Sequence, residues 1–338
     1  MQEDSVRTSL DELKQMMRQV LSSRGITGED AEFVIDDHVD AELEGRPTHG
    51  LGKFLLIDHA LDNRQGGSEV VSSVGCLMII DGHREIGQLA ARFASLKAAD
   101  LARRCGVGLV TLRNFGRFGR LAPYSRIIAE TGMVGIVLNN AGPPAVAPFG
   151  SRNAILGTNP ISFGFPSVTT PVVIDFATSK KVWGEIRQAT LSESQLPRNA
   201  FLDGNGNETV EPAQVDAVLP FGEHKGSALC LAIELLAGTV AGAAMGGQVD
   251  DEYSLGAMFL AVNPVSGAHH HVSALVDEIV ASIPMQGADN VQVPGQGSLR
   301  RKGEGLQRGW LDVADSTYKT LSTMAKGGTG LTSSLLSN

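Results

Sequence analysis

A chain of 338 residues, 42% hydrophobic and 19% charged, has room for one large core or two modest domains and reads as an ordinary globular protein. Its net charge of −9, with no basic run, excludes a nucleic-acid binder, because phosphate contacts supply most of that affinity. The three cysteines, Cys76, Cys105 and Cys230, form no CxxC pair, which excludes a cysteine-based metal site and points to a reducing, cytoplasmic setting.

The N-terminus is charged and amphipathic, without the pattern of a signal peptide. Helices are expected first. SLDELKQMMRQVLSSRG has a Ser9 cap, apolar residues at helical spacing and a closing Gly25. A second helix is expected from Thr27 to Gly45, and, after the interruption at Pro47, a third over THGLGKFLLIDHALDN. A short apolar run near Cys76, CLMIIDG, opens a region of different pattern.

In that region ARFASLKAADLARRCG reads as a helix stopped by Gly106, GVGLVTLRN as a strand, APYSRIIAETG as a helix, and MVGIVLNN and VVIDFATS as strands. The alternation indicates an α/β fold with a largely buried sheet. FLDGNGNETVEP reads as a turn-rich surface excursion. ALCLAIELLAGTVAGAAMGG, from Ala228 to Gly247, approaches the length of a membrane span, but Glu234 and its glycines and alanines favour a buried helix. GAMFLAVNP reads as a late strand and VSALVDEIVASIP as a late helix. The expected organisation is a helical region over 1–70 joined by a C-terminal helix at 305–327, an α/β core over 71–304, and a flexible tail over 328–338.

The common chemical motifs are missing. No GxGxxG follows a strand and opens a helix, and there is no GxxxxGK[ST], HExxH or GxSxG. His269, His270 and His271 read as a solvated loop and not as a metal site, so no metal is expected.

Four segments stand out. In GRPTHGLGKF, His49 follows a Pro-broken turn and Lys53 lies one helical turn on; His49 is either a proton carrier or a helix-capping group. LRNFGRFGRLAPYS joins a strand to a helix, where α/β proteins place ligands. In VVIDFATSKKVWG, Asp175 ends an apolar strand and either caps the next segment or orients a ligand or a histidine. In LPFGEHKGSALC, a helix N-terminus with Lys225 forms an anion site.

In this order and spacing, with AILGTNPISFGFP and VQVPGQ, these segments resemble the malate/L-lactate dehydrogenase family that lacks a Rossmann fold, from about Asp11 to Gly327. The family includes ureidoglycolate and sulfolactate dehydrogenases, diketogulonate reductases and reductases of cyclic imino acids. THG is similar to its Ser-His-Gly, DFATS to its Asp-Met-Ala-Thr-Ser, PFGEHKGSAL to its Pro-Phe-Gly-Gly-His-Lys-Gly, and VPGQ to its late Pro-Gly-Glu. The resemblance implies a homodimer with a sulfolactate-dehydrogenase-like mixed sheet and flanking helices. It implies NADH or NADPH, and reversible hydride transfer to a 2-oxo acid or a carboxylate-bearing cyclic imine. It makes His49 an acid/base candidate. Asp175, Phe176, Ala177, Thr178 and Ser179 would line the cofactor, and His224, Lys225 and Gly226 would hold its phosphates or ribose. Pro294 and Gly295 would close the adenosine side, with Thr158 and Asn159 near the nicotinamide.

The loop NFGRFG resembles the family's Asn-Ser-Asn-His-Phe-Gly. It keeps Asn114, Phe118, Gly119 and the later Tyr124, but puts Arg117 where that histidine, a proposed proton carrier, belongs. Arginine stays charged and clamps carboxylates instead of cycling a proton. The family's Arg-Gly is Glu44-Gly45 here, and its arginine four residues after the histidine is Lys53. Substrate-side residues have changed while cofactor-side segments remain. Asn114, Tyr124, Lys53, His49 and Arg117 are therefore the substrate-side candidates. Three readings follow: a reductase with an altered substrate in which Arg117 clamps an anion, ordinary 2-hydroxy acid chemistry with His49 as acid/base, or a nucleotide-binding protein that has lost turnover.

Overall fold

The computed structural model describes residues 5–264, 269–285 and 293–331. The chain starts with β1 (Ser5–Ser9), α1 (Leu10–Ser23), α2 (Gly28–Leu43), α3 (Leu51–Phe54) and α4 (Ile57–Asn63). Then come β2 (Glu69–Val74), β3 (Leu77–Glu85), α5 (Gly87–Cys105), β4 (Val107–Phe115), α6 (Ala122–Glu130) and β5 (Val134–Asn139). Next are β6 (Ile161–Phe165), β7 (Val172–Phe176), α7 (Trp183–Leu191), β8 (Phe201–Asp203), β9 (Val215–Val218) and α8 (His224–Ala241). Last are β10 (Gly256–Val262), α9 (His269–Met285), α10 (Gln296–Arg308), β11 (Trp310–Ala314) and α11 (Asp315–Ala325).

Ser9 caps α1 as its sequence requires: its hydroxyl accepts from the Glu12 amide at 3.1 Å. Leu13, Met17 and Leu21 of α1 pack with Val34 and Ile35 of α2 and with Leu321 and Met324 of α11. The helical layer also contains a two-stranded sheet, β1 against β11. The helix expected after Pro47 is broken into a 3-10 turn, Pro47–His49, then α3 and α4. Glu42 from α2 explains the break. Its Oε1 accepts from the Leu51 amide at 2.7 Å and so begins α3 afresh. Gly50 makes room for it, since a Cβ there would lie 2.2 Å from the same oxygen.

The main sheet has seven strands in the order β2-β3-β4-β10-β5-β6-β7. Only β3 and β4 run parallel, joined by α5; every other pairing is antiparallel. On β10, Ala257, Phe259 and Ala261 join the core cluster under α5 and α6, while Met258 joins Ile233 of α8 on the other face. β6 was not expected as a strand. Pro160 precedes it and Gly164 interrupts it, so pairing to β5 and β7 makes it one.

Other expectations are corrected. Phe201, in the supposed surface excursion, is fully buried and pairs with Val218. His269–His271 open α9 and are not a loop. The tail is anchored as far as Leu331, whose amide donates to the Leu55 carbonyl at 3.0 Å; residues 332–338 lie outside the described residues. α8 buries only one face. Leu231, Leu235 and Leu236 are 47%, 46% and 43% exposed, so this helix has an open leucine stripe. Cys76 and Cys105 meet through their thiols, and that hydrogen bond raises the Cys76 thiol above its usual range. Among the described residues no helix is long and apolar enough to cross a membrane.

Candidate active site

β7 runs off its sheet edge into Ala177, Thr178 and Ser179, and this strip lies against the segment that leads into α8. The Phe221 amide donates to the Thr178 carbonyl at 2.9 Å, and the Lys180 amide to the Leu219 carbonyl at 2.8 Å. Phe176 meets Phe221 edge to face, 5.8 Å between ring centres. The Thr178 hydroxyl donates to the carbonyls of Thr158 and Asn159, each at 3.0 Å. Three predicted cofactor segments, Thr158–Asn159, Asp175–Ser179 and His224–Gly226, thus form one surface.

That surface fits a phosphate or ribose. A Cβ on Gly226 would lie 1.7 Å from the Phe221 carbonyl oxygen, so only bare backbone fits there. Exposed His224 and Lys225 open α8, and among the described residues the Lys225 ammonium has no ion-pair partner. The Ser179 hydroxyl is buried with no hydrogen-bond partner among the described residues. Pro294 and Gly295 sit beside the start of β7. Gly295 has φ +84°, and a Cβ on it would lie 2.9 Å from the Val173 carbonyl oxygen.

Asn159, expected in the segment near the nicotinamide, turns its side chain inward. It is fully buried; its Nδ2 donates to Glu234 Oε2 at 2.6 Å, and its Oδ1 accepts from the Ala141 amide at 3.2 Å. Its side chain holds the Thr158–Asn159 turn through partners within the protein.

The loop from Arg117 to Ala122 gathers the second group. A Cβ on Gly119 would lie 3.4 Å from His49 Cδ2. The Ala122 amide donates to Asp175 Oδ2 at 3.1 Å. Arg117 Nε stands 3.6 Å from Glu252 Oε2, and Glu252 Oε1 lies 2.6 Å from His59 Nε2. Between these contacts, buried Arg120 is ion-paired to Asp37 at 3.3 Å and, more closely, to Glu44. Glu44, which stands where the family has arginine, is therefore neutralised from across the site. His49 is itself positioned: its Nδ1 lies 3.0 Å from the Thr48 hydroxyl, and its carbonyl accepts from buried His38 Nδ1 at 3.1 Å.

Burial sets the protonation here. It pushes His49 down to about 4, helped by Arg120, Lys53 and Arg46. It pushes Lys53 down to about 8, with Arg117 adding to the effect and Glu252 opposing it. It raises Asp175 to about 6 against the Ala122 amide and Arg120. At neutral pH, His49 is uncharged while Lys53 keeps its proton.

Two predicted substrate-side residues are placed elsewhere. Tyr124 is fully buried, and its hydroxyl donates to the Phe118 carbonyl at 3.0 Å, so it shapes the loop from behind. Asn114 donates to Asp81 at 2.8 Å and lines a separate cavity of about 310 Å³ with Arg84, Arg113, Asp251 and Tyr253. Sequence reasoning missed Arg120, Glu252, His38 and the role of Glu234. Only Glu234 left a signal, as a lone carboxylate in an apolar helix.

A sequence profile described as malate/L-lactate dehydrogenase matches residues 8–322. The chain belongs to the malate/L-lactate dehydrogenase family. The L-sulfolactate dehydrogenase of Methanothermobacter thermautotrophicus is 33% identical over 319 residues, covering 89% of this chain and 93% of that protein. The solved sulfolactate dehydrogenase of Methanocaldococcus jannaschii is similar with a TM-score of 0.83 and 30% identity, over 96% of this chain and 98% of that one. The delta1-piperideine-2-carboxylate reductase of Pseudomonas syringae is similar with a TM-score of 0.82 and 26% identity, over 96% and 100% of the two chains. The chain is accordingly an oxidoreductase with the sulfolactate-dehydrogenase-like α/β fold. The dehydrogenases of this malate/L-lactate dehydrogenase family use nicotinamide cofactors.

Proposed function

We propose that this protein transfers hydride between NADH or NADPH and a small carboxylate-bearing substrate, reducing the C=O of a 2-oxo acid or the C=N of a cyclic imine. One observation carries the reading: the Arg117–Ala122 loop closes on His49 at Gly119 and contacts Asp175 and Glu252, at the end of the strand that leads into the cofactor strip. A bound nicotinamide supplies the hydride. Arg117 holds the substrate carboxylate, because its Nε is turned to Glu252 and its terminal nitrogens remain for a bidentate contact.

The proton has a source other than the missing histidine. His49, uncharged at neutral pH, accepts a hydrogen bond and orients the reacting group. Lys53 is charged at neutral pH and releases its proton near pH 8, which suits the donor role in C=O reduction. A protonated imine arrives with its own proton and asks the site only for positioning and charge complementarity. The relatives named for sulfolactate and for piperideine-2-carboxylate support both substrate classes. The open leucine stripe of α8 supports a homodimer, and the free thiols support a cytoplasmic location.

The test is oxidation of NADH and NADPH by the purified protein. The substrates are pyruvate, oxaloacetate, a branched 2-oxo acid, and the five- and six-membered cyclic imino carboxylates. Turnover of any of these supports the reading. Imines alone would make Arg117 an anion clamp in an enzyme that needs no acid. Oxo acids would make Lys53 sufficient as the proton donor beside a neutral His49. Nucleotide binding with no turnover on the whole panel would favour a protein that has lost its chemistry.

A further inference from the structure

We infer that Arg126 recognises the 2′-phosphate of NADPH, so that this protein prefers NADPH to NADH; the inference rests on the nicotinamide-dependent reading above. A cavity of about 200 Å³ lies between α6, the start of β7, α9 and α10. Its walls are mostly apolar, with Pro171, Val173 and Leu299 among them, as an adenine requires. Its polar lining includes Arg126, on α6 one turn beyond the Ala122 amide that binds Asp175, with Thr169, Thr170, Asp277 and Gln296.

Arg126 has no hydrogen-bond or ion-pair partner among the described residues, and its Nε is buried with nothing to donate to. A buried guanidinium nitrogen without an acceptor is costly, and a phosphate oxygen in the cavity would supply one. The other charged group of the wall is already engaged. Asp277 accepts from the Ser167 hydroxyl at 2.6 Å and from the Val168 amide at 2.9 Å. Ser167 Oγ in turn accepts from the amides of Thr169 at 3.1 Å and Thr170 at 3.2 Å, which fixes the turn facing Arg126. Gln296 adds an uncharged amide to the lining. Gly295 lets the lining close on β7, since a Cβ would meet the Val173 carbonyl oxygen at 2.9 Å. Among the described residues the cavity therefore holds one guanidinium with free donors, Arg126, and one carboxylate, Asp277, whose oxygens are taken up by Ser167 and Val168.

The test is equilibrium binding of NADPH and NADH to the full chain, followed by nucleotide fluorescence or calorimetry. NADPH is expected to bind the unmodified protein at least about tenfold more tightly, the worth of a charge-assisted contact. Arg126→Gln is expected to cut the NADPH:NADH affinity ratio by about tenfold or more, while Arg126→Lys, which keeps the charge, retains part of the preference. Equal affinities in the unmodified protein, or an unchanged ratio in Arg126→Gln, would overturn the inference. Failure of both nucleotides to bind would instead remove the dinucleotide reading on which it rests.

Discussion

Glu234 Oε2 accepts a hydrogen bond from Asn159 Nδ2 at 2.6 Å, and its other oxygen accepts from the Gly246 amide at 2.8 Å. One carboxylate inside an apolar helix thereby joins α8 to the turn that presents Thr158 to the cofactor strip. Glu234→Ala leaves Asn159 Nδ2 only its bond to the Cys230 carbonyl at 3.0 Å and takes the acceptor from the Gly246 amide, and is expected to lower stability by about 1–3 kcal/mol. Urea unfolding measures this, and a loss under about 1 kcal/mol would show that the bridge is not structural.

Arg117 is expected to act in substrate binding. Its side chain is 35% exposed and its contact with Glu252 is long, so Arg117→Ala should fold normally. The expected effect is a rise in KM for the carboxylate substrate of about tenfold to a hundredfold. An unchanged KM with a lower kcat would argue against the clamp. Arg117→His should raise oxo-acid turnover and damage imine reduction.

The pH profile reports on Lys53. Its pKa is lowered to about 8, so it is protonated below that pH and loses its proton above it. With a 2-oxo acid, kcat/KM for reduction should be level below pH 8 and fall as pH rises through it. Lys53→Met should remove this limb and lower turnover by about two to four orders of magnitude. If the limb persists in Lys53→Met, another group donates the proton.

His38 gives a separate pH dependence, in stability. Buried and held down to about 4, it stays neutral in the folded chain while the unfolded chain takes up a proton below about 6.5. Stability is therefore lost as pH falls from 6.5 to 4, by up to about 3 kcal/mol from this residue. His38→Gln should lose less stability than the unmodified protein between pH 7 and 4.5 in urea titrations. Equal losses would mean that the ring is protonated or exposed in the fold.

The leucine stripe of α8 predicts the assembly. Leu235→Asp adds a charge at a position 46% exposed in the single chain, so it should leave folding intact while dissociating a dimer. Light scattering on both proteins decides the matter. A monomer in the unmodified protein would remove the proposal.

Much of the fold was legible in the sequence where the determinants are local. Ser9 and Gly106 end their helices as single residues do, through a side-chain cap and a left-handed backbone. The apolar runs of β4, β5 and β7 follow the period of a buried strand. The ordered motifs marked the proposed cofactor strip because each needs small residues or glycine at fixed positions against its own neighbours, as Gly226 does against Phe221.

Relationships between distant residues were decided only by tertiary structure. No local pattern inserts β10 between β4 and β5, or makes a strand of Ile161–Phe165. Nothing in the loop sequence distinguishes Arg117, turned to the site, from Arg120, enclosed by Asp37 and Glu44. Tyr124 and Asn159 match their motifs, yet packing turns both side chains inward. Motif residues are chosen by backbone chemistry along the chain, whereas exposure, ion pairing and pKa depend on which remote elements close over them. The sequence by itself determined the family and marked the segments of the proposed cofactor strip; the packing of the Arg117–Ala122 loop against α2, β7 and the Glu252 segment decided which side chains line the proposed substrate site.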